Sequence, residues 1–428
     1  MFNRELVKLI LETFEQHEIV FLLGTRQTGK TTLSKLIAKA SDYTTENIHF
    51  IDFEDKMFRE AFNNISLATI NNLLKLENID SSQKNLLIFD EIQLLNDPSN
   101  LLKLLHDHYP RLKIIATGSS SLEIQNKFSD SLAGRKRIYK VEPLTFDEFL
   151  FFKNEERLLR IRKLFQTTRK ENTNPEELKP IITSHSETFL HLFEEYLIYG
   201  GYPEVVLSTS KEQKIQKLDS IATSYIQKDI RDIARIDNIK AYNNLLRYIA
   251  INNGAQFNLS SVRKTIGISS ETLNKYLTLL EETFIIAELP PFYTNKNKEI
   301  SKSKKYYYKD TGVNNLQLQN FNHLNLRNDT GALYESYIFN ALEHNKSILE
   351  NNYFYRTQSK SEIDFININE TLYTLIEVKS GNFNKLPRAV YEFEKKYKEQ
   401  LTIKEKIVIN QKNFEIRKNT LFIPAYLF

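Results

Sequence analysis

Near the start of the chain two glycines frame a loop that ends in a lysine and a hydroxyl: Gly24-Thr25-Arg26-Gln27-Thr28-Gly29-Lys30-Thr31, with Thr32 following. Glycines at these positions let the backbone turn its N–H groups inward around a polyphosphate, and a helix starting at the lysine adds its partial positive charge. Lys30 is placed to reach the β- and γ-phosphates, and Thr31 to ligate Mg2+. The expected ligands are therefore ATP and Mg2+. A second group is Asp90-Glu91, two carboxylates closing the apolar run Leu86-Leu87-Ile88-Phe89. Asp90 can hold the Mg2+ through water, and Glu91 can polarise the attacking water as a general base. That second carboxylate argues for hydrolysis rather than storage of the nucleotide. A third group ends the run Lys113-Ile114-Ile115-Ala116-Thr117 with Gly118 and Ser119-Ser120-Ser121. Thr117 or Ser119 can sense the γ-phosphate; a serine here equally suits the cap of a helix over Leu122 to Phe128.

The last hundred residues carry a different chemistry. Glu335 lies in an amphipathic stretch, Gly331 to Ile338; Asp364 lies in the alternating run Glu362 to Ile368; Glu377 and Lys379 lie in Leu375-Ile376-Glu377-Val378-Lys379. Strand alternation puts Glu377 and Lys379 on one face. A helix glutamate, a strand aspartate and a strand E-x-K, in that order, have the spacing of the PD-(D/E)XK nuclease core. There Asp364 and Glu377 would bind Mg2+ through hard oxygen ligands, Lys379 would position water or stabilise a phosphate, and Glu335 would complete the site. An exposed cross-strand charge pair is the bland alternative for E-x-K.

These residues need elements to position them. Apolar runs Ile19 to Leu23, Ile48 to Asp52, Leu86 to Asp90, Lys113 to Thr117 and Arg137 to Val141 alternate with helical patterns. That alternation predicts a parallel sheet with helices on both faces and the ligand at the carboxyl ends of the strands. In the P-loop ATPases that these motifs resemble, a strand lies between the loop strand and the acidic strand, which implies that place for the strand ending in Thr117. From Thr145 to about Ile236 the chain reads as helices, broken by the turn Gly200-Gly201-Tyr202-Pro203 and resembling a lid. Helices over Ala241 to Ile251, Leu259 to Ile266 and Glu271 to Glu282, followed by paired strands at Phe284 to Leu289 and Lys305 to Tyr308, spell a winged helix. Ser270, Thr272, Asn274 and Lys275 would face DNA, and Lys302, Lys304, Lys305 and Lys309 would touch its backbone. Docking of a protein is the other use of such a unit.

The whole is 428 residues with 41% hydrophobic content, enough for several packed domains. A net charge of +4 gives little support to nucleic-acid binding by itself. There is no cysteine, which excludes disulfides and thiolate metal sites. No apolar run approaches a bilayer span and the first residues lack a signal-peptide plan, so the expectation is a soluble cytoplasmic protein with no membrane partner.

Taken together these blocks resemble the AAA-type P-loop ATPases of bacteria and archaea that carry a C-terminal winged-helix and restriction-endonuclease-like region of formerly unknown function. The likeness rests on the Arg26-Gln27 pair, Asp90-Glu91-Ile92-Gln93, Ala116 to Ser121, Ser131-Leu132-Ala133-Gly134-Arg135, Pro143 to Phe149, Gly200 to Pro203, Glu362 to Phe365 and Ile376 to Ser380. Ser361 departs from it, where a glycine is expected nearby. The resemblance implies an α/β fold in four parts: an ATPase core over 1–142, a helical lid over 143–237, a winged helix over 238–315 and a nuclease-like α/β domain over 316–428. It also implies that Arg135 senses phosphate or acts as an arginine finger across a subunit boundary in a homo-oligomer; a structural salt bridge is the alternative. The leading expectation is an ATP-hydrolysing enzyme coupled to DNA binding and Mg2+-dependent DNA cleavage. Its alternative is a regulatory ATPase whose C-terminal domains bind DNA or protein without cutting, in a defence or toxin–antitoxin setting.

Overall fold

The computed structural model describes residues 4–62, 65–119, 132–171, 174–224, 236, 238–295, 297, 299, 302–357 and 361–428. The helix expected over Leu122 to Phe128, with Ser120, Ser121 and Ser131, lies outside the described residues. The chain forms two compact units. One comprises the described residues of Met1–Pro143, Ile221–Ile236 and Glu282–Phe284; the other, those of Leu144–Ser220, Asp237–Glu281 and Ile285–Phe428.

The first unit is built on β1 (Ile19–Gly24), β2 (Ile48–Asp52), β3 (Asn85–Asp90), β4 (Leu112–Ser119) and β5 (Lys136–Lys140). They form a five-stranded sheet in the order β2-β3-β4-β1-β5, every pairing parallel. The central β1, β3 and β4 are buried along their whole length, as strands covered by helices on both faces must be. Alternation sends Val20 and Leu22 to one face, against Leu33 and Ile37 of the helix Lys30–Ala40. It sends Ile19, Phe21 and Leu23 to the other, against Leu101, Leu102 and Leu105 of the helix Pro98–His108. Each such aliphatic side chain contributes about 1.5–3 kcal/mol on burial. As expected, β4 lies between β1 and β3.

In the second unit the helices after Pro143 do not form a body of their own. Phe146, Phe149, Phe165, Phe189 and Phe193 share one core with Tyr337, Ile376, Ile409, Ile423 and Tyr426. Among the described residues the separate lid expected over 143–237 is thus not seen: the helices of 144–220 pack their apolar faces against segments near the far end of the chain. Thr145 caps the helix Phe146–Phe152 through a reciprocal bond with Glu148. Asp147, beside it, pairs with the buried Arg162 at 2.5 Å, and Arg162 also donates to the carbonyl of Tyr426. Gly200 sits at φ 77, and a Cβ there would fall 2.2 Å from Asp310 Oδ1. Asp310 accepts from Gly201 N at 2.7 Å, and a Cβ on Gly201 would meet Leu144 O at 2.3 Å. The Gly200-Gly201 turn is therefore a close-packing device.

Helices Ile239–Ile251, Leu259–Ile266 and Ser270–Glu282 precede the antiparallel pair β6 (Ile286–Leu289) and β7 (Lys305–Tyr308). After the helix Thr330–His344 come β8 (Glu350–Arg356), β9 (Glu362–Asn369) and β10 (Leu372–Val378), then the helix Arg388–Tyr397 and β11 (Thr402–Asn410), β12 (Glu415–Arg417) and β13 (Thr420–Pro424). The sheet order is β12-β13-β11-β10-β9-β8. Strands β8, β9 and β10 run antiparallel, whereas β11 is parallel to β10 and to β13. The parallel step from β10 to β11 needs a crossover, which the helix Arg388–Tyr397 supplies.

Candidate active site

The glycine loop leaves β1 at its carboxyl end. Gly24 has no room for a side chain, since a Cβ would lie 2.1 Å from Val141 O. Gly29 takes φ 86, a left-handed value that suits glycine, and caps the helix Lys30–Ala40. Thr25 and Thr28 are buried, and Thr28 Oγ1 donates to Thr25 O at 2.9 Å. Arg26 and Gln27 are half-buried and Thr32 is exposed. Lys30 is buried, with Nζ donating to Gly24 O and Thr25 O, 3.1 Å each, and 3.9 Å from Glu91 Oε1. Burial pulls its ammonium below the ordinary lysine range, against the attraction of Glu91 and Asp90.

Parallel pairing brings the next two groups to the same edge. Thr31 Oγ1 donates to Asp90 Oδ2 at 2.8 Å, and Thr117 Oγ1 donates to Asp90 Oδ1. Glu91 N donates to Thr117 Oγ1 at 3.1 Å. Burial raises Asp90 above the usual carboxylate range, and the bonds from Thr117 and Thr31 oppose it. Thr117 thus contacts the Asp90 carboxylate and the Glu91 backbone directly; Ser119, also buried, stands in register with Gly24. The loop cradle, the retracted lysine ammonium and the hydroxyl-to-aspartate pair fit a magnesium nucleotide.

Two residues of this site have roles that the sequence analysis does not assign. Arg4 is buried, donating from Nη1 to Thr28 O at 3.0 Å and from Nη2 to Glu142 O at 2.8 Å. It ties the loop to the segment after β5, and a lone arginine before the first helix gives no signal of that. Gln93 Nε2 donates to Glu91 Oε2, while Gln93 Oε1 is buried without a partner. Glu91 itself stands at φ 51, a costly left-handed conformation for a non-glycine residue.

Arg135 is a correction. Its carbonyl accepts from Ile19 N at 2.8 Å, at the start of β1. The glycine loop leaves the other end, about 16 Å away for a strand of this length. Arg135 Nε and Nη2 grip Asp107 Oδ1 and Oδ2 at 2.8 and 3.1 Å, and this holds Asp107 down at about 2. Within its own unit Arg135 is a salt-bridge residue, not a phosphate sensor.

The second unit brings together Glu335, Asp364, Glu377 and Lys379. Asp364 Oδ2 accepts from Val378 N at 2.7 Å, and Lys379 Nζ lies 2.6 Å from Glu377 Oε1. Glu335 and Glu377 are raised by burial first and by Asp364 second, with Lys305 opposing at Glu335 and Lys379 at Glu377; Asp364 is raised by burial, against Lys305 and Lys379. The expected Mg2+ on Asp364 and Glu377 does not fit the side chains as they stand. Among the described residues no group of three His, Asp or Glu is placed to hold a metal ion. Lys379 already occupies one oxygen of Glu377, and the other, Oε2, is buried without a partner.

The lysines of the hairpin are a further correction. Lys305 is buried, with Nζ 2.5 Å from Glu362 Oε1 and 3.7 Å from Glu335 Oε2. Lys304 Nζ lies 2.5 Å from Glu288 Oε2 across the ladder. Neither is a free surface charge, because strand alternation turns Lys305 inward and Glu288 neutralises Lys304. Ser270, Asn274 and Lys275 are exposed and Thr272 half-buried, with Arg263 and Lys264 exposed on the preceding helix.

Comparison with known proteins agrees with the first unit. Residues 16–150 match a family model described as an AAA domain. Residues 190–324 and 330–428 match two models described as domains of unknown function, DUF8612 and DUF4143. An uncharacterized protein of Methanocaldococcus jannaschii is 27% identical over 404 residues, 93% of this chain and 82% of its own. An uncharacterized protein of Haemophilus influenzae is 24% identical over 325 residues, 73% of this chain and 72% of its own. Among solved structures, a Walker-type ATPase of Pyrococcus abyssi aligns at a TM-score of 0.45 and 18% identity, over 74% of this chain and 96% of that one. The first unit carries an AAA-type, ATPase-like domain with a P-loop. No helix among the described residues is long and apolar enough to cross a membrane.

Proposed function

We propose that the protein hydrolyses ATP in its first unit and uses its second unit to bind DNA without cutting it. The hydrolytic reading rests on one observation: Thr31, Asp90, Thr117 and Glu91 form a continuous chain of contacts beside Lys30. ATP would lie in the Gly24–Thr32 loop, with Mg2+ held by Thr31 and Asp90; the metal, when bound, neutralises developing phosphate charge. Lys30, freed from the carbonyls of Gly24 and Thr25, is the loop's own cation for the terminal phosphates. Glu91 stands at the strand edge as acceptor for a proton of the attacking water, and Thr117 fixes its backbone. The test is a pair of variants: Lys30→Ala loses nucleotide binding, and Glu91→Gln keeps binding but loses turnover. Hydrolysis by Glu91→Gln at the wild-type rate would overturn the assignment.

For the second unit, the helix pair Leu259–Ile266 and Ser270–Glu282 with the β6–β7 ladder supports a winged helix, whose second helix would meet DNA through Ser270, Asn274 and Lys275. The helix–three strand–helix–strand order from Thr330 to Asn410 supports a restriction-endonuclease-like fold. The non-cutting reading is favoured by Lys305 and Lys379, which neutralise the carboxylates a metal would need. Binding to a labelled duplex should weaken steeply with salt as counterions are released. Binding that is absent at low salt would leave protein docking as the use of these helices.

A further inference from the structure

The crossover helix Arg388–Tyr397 shows the sheet and the solvent two different faces. Val390 and Phe393 are buried in one cluster with Tyr355, Ile363 and Leu375 of β8, β9 and β10. The outer face carries Arg388, Tyr391, Lys395 and, directly after the helix, Lys398. Successive members are three or four residues apart, so they stand one turn above another in a single stripe. Tyr391 is 62% exposed, and among the described residues its ring meets no other ring and no cation. Both carboxylates of the helix are already engaged: Arg388 Nε donates to Glu392 Oε1 at 2.6 Å, and Lys406 Nζ lies 2.9 Å from Glu394 Oε1. Lys395 and Lys398 are exposed, with no ion pair among the described residues, and so is Lys385, three residues before the helix.

We propose that this stripe is a docking surface for single-stranded DNA, with Tyr391 stacking on a base and Lys385, Lys395 and Lys398 following the phosphates. A ring projecting from a helix surface reaches a base face only where that base is unpaired and unstacked. A duplex buries its base faces, so the winged-helix surface and this stripe take different forms of the nucleic acid. From Arg388 to Lys398 the stripe runs about 15 Å, the rise of about four nucleotides in a stacked strand at about 3.4 Å each. Lysines are depleted from protein–protein interfaces and suit phosphates, which sets a nucleic acid above a protein partner here. DNA rather than RNA is assigned because the same unit carries the winged-helix elements, and the inference rests on that reading to this extent alone.

The sequence contains no tryptophan, so Tyr391→Trp gives the full chain a single indole reporter on the stripe. Its fluorescence should be quenched by single-stranded oligothymidylate at low salt, and not by a hairpin duplex at the same concentration. In fluorescence anisotropy Tyr391→Ala should weaken oligothymidylate binding about tenfold or more, whereas Tyr391→Phe, which keeps the ring, should stay within about twofold of wild type. Lys395→Gln/Lys398→Gln should flatten the slope of log affinity against log salt by about 1.4, at about 0.7 per phosphate contact of a single strand. Melting temperatures should stay at the wild-type value, because these positions lie on the surface. Equal affinity of Tyr391→Ala and wild type, or equal quenching by the duplex, overturns the inference. Stronger quenching by oligouridylate than by oligothymidylate overturns the assignment to DNA. Duplex binding that Lys275→Glu weakens, without quenching of the Tyr391→Trp reporter, would sink this surface and leave the winged helix standing; quenching without duplex binding would do the reverse.

Discussion

Removing Gln93 tests whether Glu91 is held for catalysis or merely tolerated. Glu91 takes φ 51, and two contacts orient its carboxylate: the amide of Gln93 and, at 3.9 Å, the ammonium of Lys30. The Lys30 contact is weak at that distance and ends when the lysine turns to phosphate. Gln93 then becomes the remaining side-chain constraint of the two. A hydrogen bond to a charged group contributes about 1.5–3 kcal/mol. If that energy selects the reactive orientation, Gln93→Ala should lower kcat about ten- to hundred-fold, at about 1.4 kcal/mol per decade. The affinity for ATP should stay within about twofold, because Gln93 is not among the loop residues. Steady-state hydrolysis gives kcat, and equilibrium binding of a fluorescent ATP analogue gives affinity separately. In the Glu91→Gln background Gln93→Ala should add nothing, since residues acting as one unit are not additive. A Gln93→Ala protein that turns over at the wild-type rate, or that loses kcat equally with and without Glu91, refutes the positioning argument.

Arg4→Ala should weaken ATP binding and lower stability together, since it removes two charged bonds to the carbonyls of Thr28 and Glu142; calorimetric titration with unchanged affinity would show the loop holds its shape alone. Charge reversal at Lys275 should weaken duplex binding and shrink its salt dependence by about one phosphate contact, whereas Lys304→Glu should not, because Lys304 already serves Glu288. Equal effects in fluorescence anisotropy would return the hairpin to the interface. Arg162→Met leaves Asp147 buried without its cation and should cost about 3–5 kcal/mol, read as a lower urea midpoint for the second unit. An unchanged midpoint would mean that the tie to Tyr426 adds nothing.

The nucleotide site was legible because its signals are local. A glycine loop between Leu23 and Leu33 has few alternatives, and Asp90-Glu91 ends a strand that is apolar at every position. The placing of β4 between β1 and β3 followed from the likeness to P-loop ATPases. What was missed depends on a distant partner. Lys304 and Lys305 are adjacent and identical in type, yet alternation sends one to Glu288 and the other to Glu335 and Glu362. For Arg135 the salt-bridge alternative is the one its own unit shows, since it grips Asp107 and its backbone pairs at the end of β1 away from the glycine loop. The helices from Phe146 to Tyr199 read correctly as helices, whereas their partners, Ile409, Ile423 and Tyr426, lie on segments with no chemical motif to draw notice. Glu335, Asp364, Glu377 and Lys379 were rightly grouped; the lysine that changes their meaning came from another element.

The bond from Arg162 to the carbonyl of Tyr426 spans 264 residues, and this bears on synthesis as well as on stability. A ribosome adding roughly 5–20 residues per second needs about 15–50 s to deliver Tyr426 after Arg162 has emerged. During that interval Phe146, Phe149, Phe189 and Phe193 have helices but not their final neighbours. All five strands of the first unit's sheet, by contrast, have their strand partners before residue 144 is made. The nascent chain therefore passes through a long stage with one half able to fold and the other presenting a greasy helical face. Chaperone demand and aggregation during expression should track the rate at which residues 200–420 are translated, and codon choice there becomes a lever on yield that leaves the finished molecule unchanged.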